Sequence, residues 1–306
     1  MVAVYHHSMQ HEGCDARELT MKLKGRWHGS YGTAPCPVCQ PERRRDQNAL
    51  TLGDGRVGLL LDCKKSGCDF RHVLAAAGLQ PGDYRAPDRA EFARRSMEAQ
   101  ANTVKRAGFA RRLWNEAQPI ADTPAEAYLR GRGIDCELPD TLRFHPRCFH
   151  GPSQRALSAM VALVEGGEDF AVHRTYLQPD GSGKAGLPSG DKMMLGTVRG
   201  GAVKLSEGPG RFVVAEGIES ALSLMCGLLD GPAQVWASLS TSGMRSLRLP
   251  SEPSALAIAT DADPEGRKAA QSLAQRAHLA GWRVSILDPG EGQDFNDILK
   301  DKAVLA

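Results

Sequence analysis

Residues 258–270 read IATDADPEGRKAA, an apolar run that ends in two carboxylates, Asp261 and Asp263, one residue apart. Asp263-Pro264-Glu265 makes a good helix start, with an N-cap aspartate, proline at the first helical position and an acidic first turn. That accounts for Asp263. It leaves Asp261 unexplained, at the end of a strand expected over 254–260. Two carboxylates so placed also suit a shared divalent metal, because Mg²⁺ prefers oxygen ligands and takes one or two carboxylates from protein. The stretch alone leaves both readings open.

Outward from it, the last hundred residues alternate regularly. RFVVAEG reads as a strand and IESALSLMCGLL as a helix; AQVWASLS is a strand, followed by a short helix near Met244–Leu247. PEGRKAAQSLAQRAHLAG is an amphipathic helix that Gly281 stops, WRVSILDPG a fourth strand and FNDILKDKAVL a closing helix. Strands alternating with helices predict an α/β unit, a parallel sheet with helices on both faces. Sites in such sheets lie at the carboxyl ends of strands. Those ends carry Glu216, then Asp261 and Asp263, then Asp294 and Asp297 in GQDFNDIL. Acids from three strands at one edge fit metal-assisted phosphoryl or nucleotidyl transfer. No Ser-His-Asp or Cys-His arrangement competes for the site.

The chain has 306 residues, 42% of them hydrophobic, which is enough for two or three core-forming units. It holds no run of about 18 apolar residues, so no spanning helix is expected. Its first residues, MVAVYHHSMQHEGCDARELT, lack the basic region and apolar stretch of a signal peptide, and the expected location is cytoplasmic. The net charge of +2 is unevenly spread: residues 206–306 hold nine Lys/Arg against thirteen Asp/Glu, a net of −4, so the first 205 carry +6. A basic front and an acidic rear suit a polyanion-binding half joined to a metal-binding half.

Four of the eight cysteines crowd into residues 36–68. Cys36-x-x-Cys39 and Cys63-x4-Cys68 each let two thiolates reach one tetrahedral Zn²⁺. NALTLGDGRVGLLLDC between them reads as two short strands around Gly53-Asp54-Gly55, so the segment is a zinc ribbon whose metal supplies folding energy that its small core cannot. His72, Cys14 and His28 are lesser candidates. In a reducing compartment such clustering points to metal rather than disulfides, and Cys136, Cys148 and Cys226 are scattered. Around the cysteines stand Lys22, Lys24, Arg26, Arg43, Arg44, Arg45, Lys64, Lys65 and Arg71, interleaved with Trp27, Tyr31 and Phe70. Phosphate-pairing cations among base-stacking rings grip single-stranded nucleic acid.

The middle opens at Pro81-Gly82 and continues as an arginine-rich stretch with too few early apolar residues to bury a face, a linker entering a helix near Met97. TPAEAYLRGRGI is a helix begun by Thr123-Pro124. From Thr141 to Leu205 strands are expected, with SAMVALVEGGEDFAVHRTYLQ a hairpin turning at Gly166-Gly167. GSGKAG at 181–186 matches the dinucleotide fingerprint in letters only: it opens no helix, and Ala185 stands where a Walker loop needs Ser or Thr. Arg174 and Lys192, the latter beside that loop, are candidate phosphate contacts.

These residues carry a resemblance. VVAEGIESAL followed by IATDADPEG is similar to the Toprim domain, whose hallmark is a glutamate after the first strand and an Asp-x-Asp after a later one. With a zinc ribbon in front and a basic region between, the chain resembles the bacterial and phage-type DNA primases. The resemblance implies an α/β Toprim-like parallel sheet at 206–306, a mixed α+β basic catalytic subdomain at 101–205, a basic linker or helix at 81–100 and a zinc ribbon at 1–80. It assigns Glu216, Asp261 and Asp263 to catalytic Mg²⁺ or Mn²⁺, with Asp294 a looser match, and Cys36, Cys39, Cys63 and Cys68 to structural Zn²⁺. Arg174, Lys192, Arg43, Arg44 and Lys64 would contact nucleotide or DNA phosphates. The implied activity is RNA primer synthesis from ribonucleoside triphosphates on single-stranded DNA. With the sequence ending just after the Toprim segment no fused helicase is expected, and the expected partner is a separate replicative helicase in replication of a phage, plasmid or mobile element. Departures from the family pattern are Cys39, where many chromosomal primases have histidine, the longer second knuckle, and Glu265 at a position that is often small. A Toprim nuclease using the same acids and a non-catalytic single-stranded DNA-binding relative are the competing readings.

Overall fold

The structure is a computed structural model that describes residues 14–42, 48–55, 58–80 and 82–305. The chain divides into two compact units, Met1–Asn102 and Thr103–Ala306.

In the first unit α1 (Ala16–Lys22) begins with a capping box, Asp15 accepting the Glu18 N–H while the Glu18 carboxylate accepts that of Asp15. Strands β1 (Arg26–Trp27), β2 (Tyr31–Ala34), β3 (Leu50–Asp54) and β4 (Leu59–Cys63) form an antiparallel sheet in chain order. The expected hairpin is β3–β4, and β1 and β2, too short to show alternation, extend it. Helix α2 (Phe70–Ala76) starts at the N-cap Asp69. Leu19, Ala34, Leu50, Leu52, Val73 and Leu74 close a small core. Helix α1 lies so close to β2 that a Cβ on Gly32 would stand 2.7 Å from the Thr20 Cβ, which is why glycine interrupts the strand.

Helix α3 (Arg89–Glu116) begins eight residues earlier than the polar sequence predicts. Ion pairs stand in for the missing apolar face. Arg94 binds Glu91 and Glu98 on the helix surface, and Asp88 accepts the Glu91 N–H at 2.7 Å. Arg95 turns inward, 10% exposed, and pairs with Asp15 at 2.7 Å, Glu91 at 2.6 Å and Asp54 at 3.2 Å, binding α3 to α1 and β3. Arg95→Met would strand two buried carboxylates, and the expected cost is about 3–5 kcal/mol, because a buried pair broken on one side leaves an uncompensated charge. Hydrogen exchange of the α1 and β3 amides measures it. A loss below about 1 kcal/mol would mean that solvent already screens the network.

In the second unit β5 (Gln118–Pro119) and α4 (Pro124–Arg130) precede an antiparallel sheet in which β6 (Leu142–His150), β7 (Arg155–Val164), β8 (Ala171–Tyr176) and β9 (Lys192–Leu195) follow β5 in order. Alternation decides its faces. Val161 and Val172 pack on Ala110, Trp114 and Ala117, while Met160, Ala162, Val164 and Ala171 face the opposite way. Next come β10 (Val203–Lys204), β11 (Arg211–Ala215), α5 (Ile218–Ser223), a π-helical turn (Leu224–Leu228), β12 (Ala233–Ala237), α6 (Thr241–Ser246), β13 (Ala255–Ala259), α7 (Pro264–Leu279), β14 (Arg283–Leu287) and α8 (Phe295–Leu305). Their sheet has the order β10-β12-β11-β13-β14, parallel except for the edge strand β10. Phe212, Val214, Leu256 and Ile258 face Met244 of α6 and Leu273 of α7. Val213, Ala215 and Ala257 face Leu222 of α5 and Leu299 of α8, in one core that also takes in Met160, Ala162 and Ala171 of the antiparallel sheet. Helices on both faces of a parallel sheet match the α/β expectation.

The helix expected over IESALSLMCGLL ends at Ser223, because Gly227 takes φ 115° and the chain widens into the π-helical turn. Cys226 in that turn is disulfide-bonded to Cys136, in the loop after α4, a pairing that the scattered spacing of these cysteines did not signal. Among the described residues no helix is long and apolar enough to cross a membrane.

Candidate metal centres and active site

The two cysteine pairs meet. Cys36 and Cys39 sit in the turn that leaves β2, Cys63 ends β4, and Cys68 directly precedes the cap of α2. Their four sulfurs all lie within 4.8 Å of one another, with Cys39 and Cys63 Sγ 3.5 Å apart. Gly67, at φ 55°, lets the longer second knuckle fold back so that its N–H reaches the Cys63 carbonyl at 3.0 Å. Burial alone would raise the Cys63 thiol, but the backbone N–H groups of Cys68 and Ser66 outweigh it and lower the thiol to about 6. A thiol made acidic by backbone donors, with three others within 4.8 Å, fits Zn²⁺. His72 and Cys14 stand outside this group. His28 stacks on Tyr31 with ring centroids 4.9 Å apart.

One residue here was missed from the sequence. The buried amide of Gln40 accepts the N–H of Cys36 at 3.0 Å and that of Ala49 at 3.1 Å, which locks the first knuckle to the start of β3. Its place directly after Cys39 was the only signal. Lys64 is 68% exposed and paired with Asp62. Arg43 and Arg44 lie outside the described residues.

The carboxylates gather at the other end of the chain. Glu216 follows β11, Asp261 follows β13, and these strands are adjacent with Ala215 opposite Ala259. Asp263 is indeed the N-cap of α7, its Oδ1 accepting the Gly266 N–H at 2.7 Å. The cap uses one oxygen, so the helix start and a ligand role are compatible. Asp294 opens α8 and accepts the N–H groups of Asn296 and Asp297, each at 2.8 Å. Burial, then the charges of Asp261 and Asp263, push the Glu216 carboxyl up to about 7. Asp261 is likewise raised, by burial and then by Asp263 and Asp294. The Lys192 ammonium opposes the shift at both.

The edge therefore gathers like charges with little positive charge among them, and Glu216 Oε2 is buried without a hydrogen-bond partner. Both features fit a divalent cation as the missing partner. No three carboxylates among the described residues stand as close together as the four thiols do. Glu265 points away and binds Arg245 at 3.2 Å and Lys268 at 2.8 Å.

Lys192, the first residue of β9, joins this edge. Its ammonium donates to Glu219 Oε2 at 3.0 Å, and Glu219 Oε1 accepts the Tyr128 hydroxyl at 3.0 Å and stands 3.4 Å from Lys184 Nζ. Glu219 was read from the sequence only as part of a helix, since its partners lie far away along the chain. Arg174 is not brought to the acids. It shares the opposite face of β8 with Val172 and Tyr176, buried, and donates to Phe149 O at 3.2 Å and the Tyr176 hydroxyl at 2.9 Å.

Comparison with known proteins finds a family match for each half of this unit. Residues 211–303 match the family described as Toprim domain, and residues 104–205 a domain of unknown function (DUF7146). The parallel sheet with its carboxylate edge lies within the segment that matches the Toprim domain family. No curated protein matches the chain. Among solved structures, the chain is similar to a primase from Aquifex aeolicus comprising zinc-binding and RNA polymerase domains, at 14% identity and TM-score 0.42, over 95% of this chain and 81% of that one. It is similar to a DNA primase domain from Pseudomonas aeruginosa at 17% identity and TM-score 0.37, over 60% and 69% of the two chains. The primase fragment of the bacteriophage T7 primase-helicase protein is a third, at 16% identity and TM-score 0.30, over 48% and 63%.

Proposed function

We propose that this chain is a DNA primase, joining ribonucleotides into short RNA primers on a single-stranded DNA template for replication of a phage, plasmid or mobile element. One observation carries the reading: Glu216, Asp261 and Asp263 converge at the carboxyl edge of a Toprim sheet in a chain that also folds a four-thiol ribbon. A Mg²⁺ or Mn²⁺ ion held there would activate an attacking oxygen and stabilise the leaving phosphate oxygen. Glu216, Asp261 and Asp263 are its ligands in this reading, and Asp294 flanks them. Lys192 offers an ammonium to triphosphate oxygens, and the 3′-hydroxyl of one nucleotide attacks the α-phosphorus of the next.

Residues 1–80 form the template-binding zinc ribbon in this account, 81–100 a basic connection, 101–205 the basic catalytic subdomain and 206–306 the Toprim domain. Lys64, Arg43 and Arg44 supply phosphate contacts, and the rings of Tyr31 and Phe70, 44% and 41% exposed, offer bases a stacking surface. A separate helicase would open the duplex, with all partners in the cytoplasm.

The products of one incubation test this. Purified protein is mixed with single-stranded DNA of mixed sequence, ribonucleoside triphosphates and Mg²⁺ or Mn²⁺. Short ribonucleotide oligomers are expected. Shortened template strands instead would make the chain a Toprim nuclease, and neither product, even with helicases added, a non-catalytic DNA-binding relative.

A further inference from the structure

Glu219 is a deeply buried carboxylate, 6% exposed, and three other segments converge on it. It stands in the first turn of α5. Tyr128 comes from α4, Lys192 from β9, and Lys184 from the loop before β9, where it bridges to Leu177. Both ammonium groups lie against the one carboxylate, at 3.0 and 3.4 Å. Burial pushes the Glu219 carboxyl up, but Lys192 and Lys184 outweigh it and hold it ionised, well below the usual range.

The arithmetic of this cluster is unusual. One lysine and the Tyr128 hydroxyl would satisfy a structural carboxylate. Here two lysines share it, leaving one positive charge in excess, and their side chains are 34% and 41% exposed where that of Glu219 is 7%. The nearby His173 does not add to that charge: burial and then Lys192 push it down to about 4, which keeps it neutral. Lys192 also acts on Glu216 and Asp261, so the excess charge borders the carboxylate edge. On the same face of β8, His173 Nδ1 and Thr175 Oγ1 are buried without partners, and Thr175 lies opposite Lys192 in the ladder.

We infer that Glu219 is a positioning residue that holds the Lys184 and Lys192 ammonium groups at the rim of the carboxylate edge to receive the phosphate oxygens of an incoming nucleoside triphosphate; this rests on the nucleotidyl-transfer reading. A free lysine loses rotamer entropy when it grips a phosphate, and one whose ammonium already rests on a carboxylate loses less. The two cations also offset the repulsion that the acids would exert on a triphosphate before a metal ion arrives with it.

Glu219→Gln keeps the shape and the bond to Tyr128 and removes the charge. In the full-length protein the expected result is ATP binding about tenfold weaker, with the same rise in ribonucleotide KM and kcat within about threefold. Mn²⁺ affinity stays within about twofold of wild type, and Glu219→Asp recovers part of the loss. In a Lys184→Met/Lys192→Met background Glu219→Gln adds nothing further, because it acts through those lysines. Unchanged ATP binding in Glu219→Gln, or a full additional loss in the double-lysine background, overturns the inference and leaves the primase reading standing. Absence of ATP binding by the wild type overturns both. Should Glu219→Gln fail to fold, Lys184→Met alone decides: its ammonium is partly exposed, and an unchanged ATP affinity there is equally fatal.

Discussion

Asp261→Asn is expected to lower nucleotide incorporation by at least about a hundredfold, the scale of losing one preorganised electrostatic group from a transition state. The same substitution is expected to stabilise the metal-free protein. Asp261 is raised by burial and by the like charges of Asp263 and Asp294, and it in turn raises Glu216. Removing its charge relieves both. The melting midpoint without divalent metal should rise by about 1–3 °C, and added Mn²⁺ should stabilise the variant less than it stabilises wild type. A site kept at the expense of stability is what function asks for. If activity and midpoint fall together, Asp261 is a structural residue and the metal assignment loses its main support.

The second large effect concerns the ribbon. Cys63→Ser removes a thiol that backbone donors have made acidic, from a group whose sulfurs lie within 4.8 Å. Binding at such a site is worth about 10–16 kcal/mol in small zinc domains, far more than the core built on Leu50, Leu52 and Leu19 supplies. The variant should lose its zinc, and limited proteolysis should then digest the first unit while Thr103–Ala306, with its own core, survives. Single-stranded DNA binding should fall by about tenfold or more, with the loss of an ordered stacking and phosphate surface. Chelation of the wild type should reproduce the pattern. Stoichiometric zinc in Cys63→Ser, or an equally protected first unit, would refute the four-thiol site.

What the sequence made legible here was local. The cysteine pairs and the strand-end acids announce themselves because each motif is complete within a few residues, and the alternation of strand and helix is periodic. Glu216 and Asp261 could be paired in advance because a parallel sheet aligns strand ends. The residues that escaped work across distance. Glu219 meets Tyr128 across ninety-one positions and Arg95 meets Asp15 across eighty, separations that no spacing rule encodes. Helix α3 looked like a linker because its first turns bury ion pairs instead of apolar side chains. Arg174 was a candidate phosphate contact from its place along the hairpin, but which face of β8 a residue takes is settled by register. Cys136 and Cys226 were scattered in sequence and adjacent in space.

The most direct measurement is incorporation of α-labelled ribonucleotide on single-stranded DNA by the wild type and Asp261→Asn side by side, with DNA binding measured on the same samples. Short RNA products from the wild type, their loss in the variant, and equal DNA binding by both are expected. Equal product from both proteins, or template cleavage in place of RNA synthesis, would contradict the primase reading.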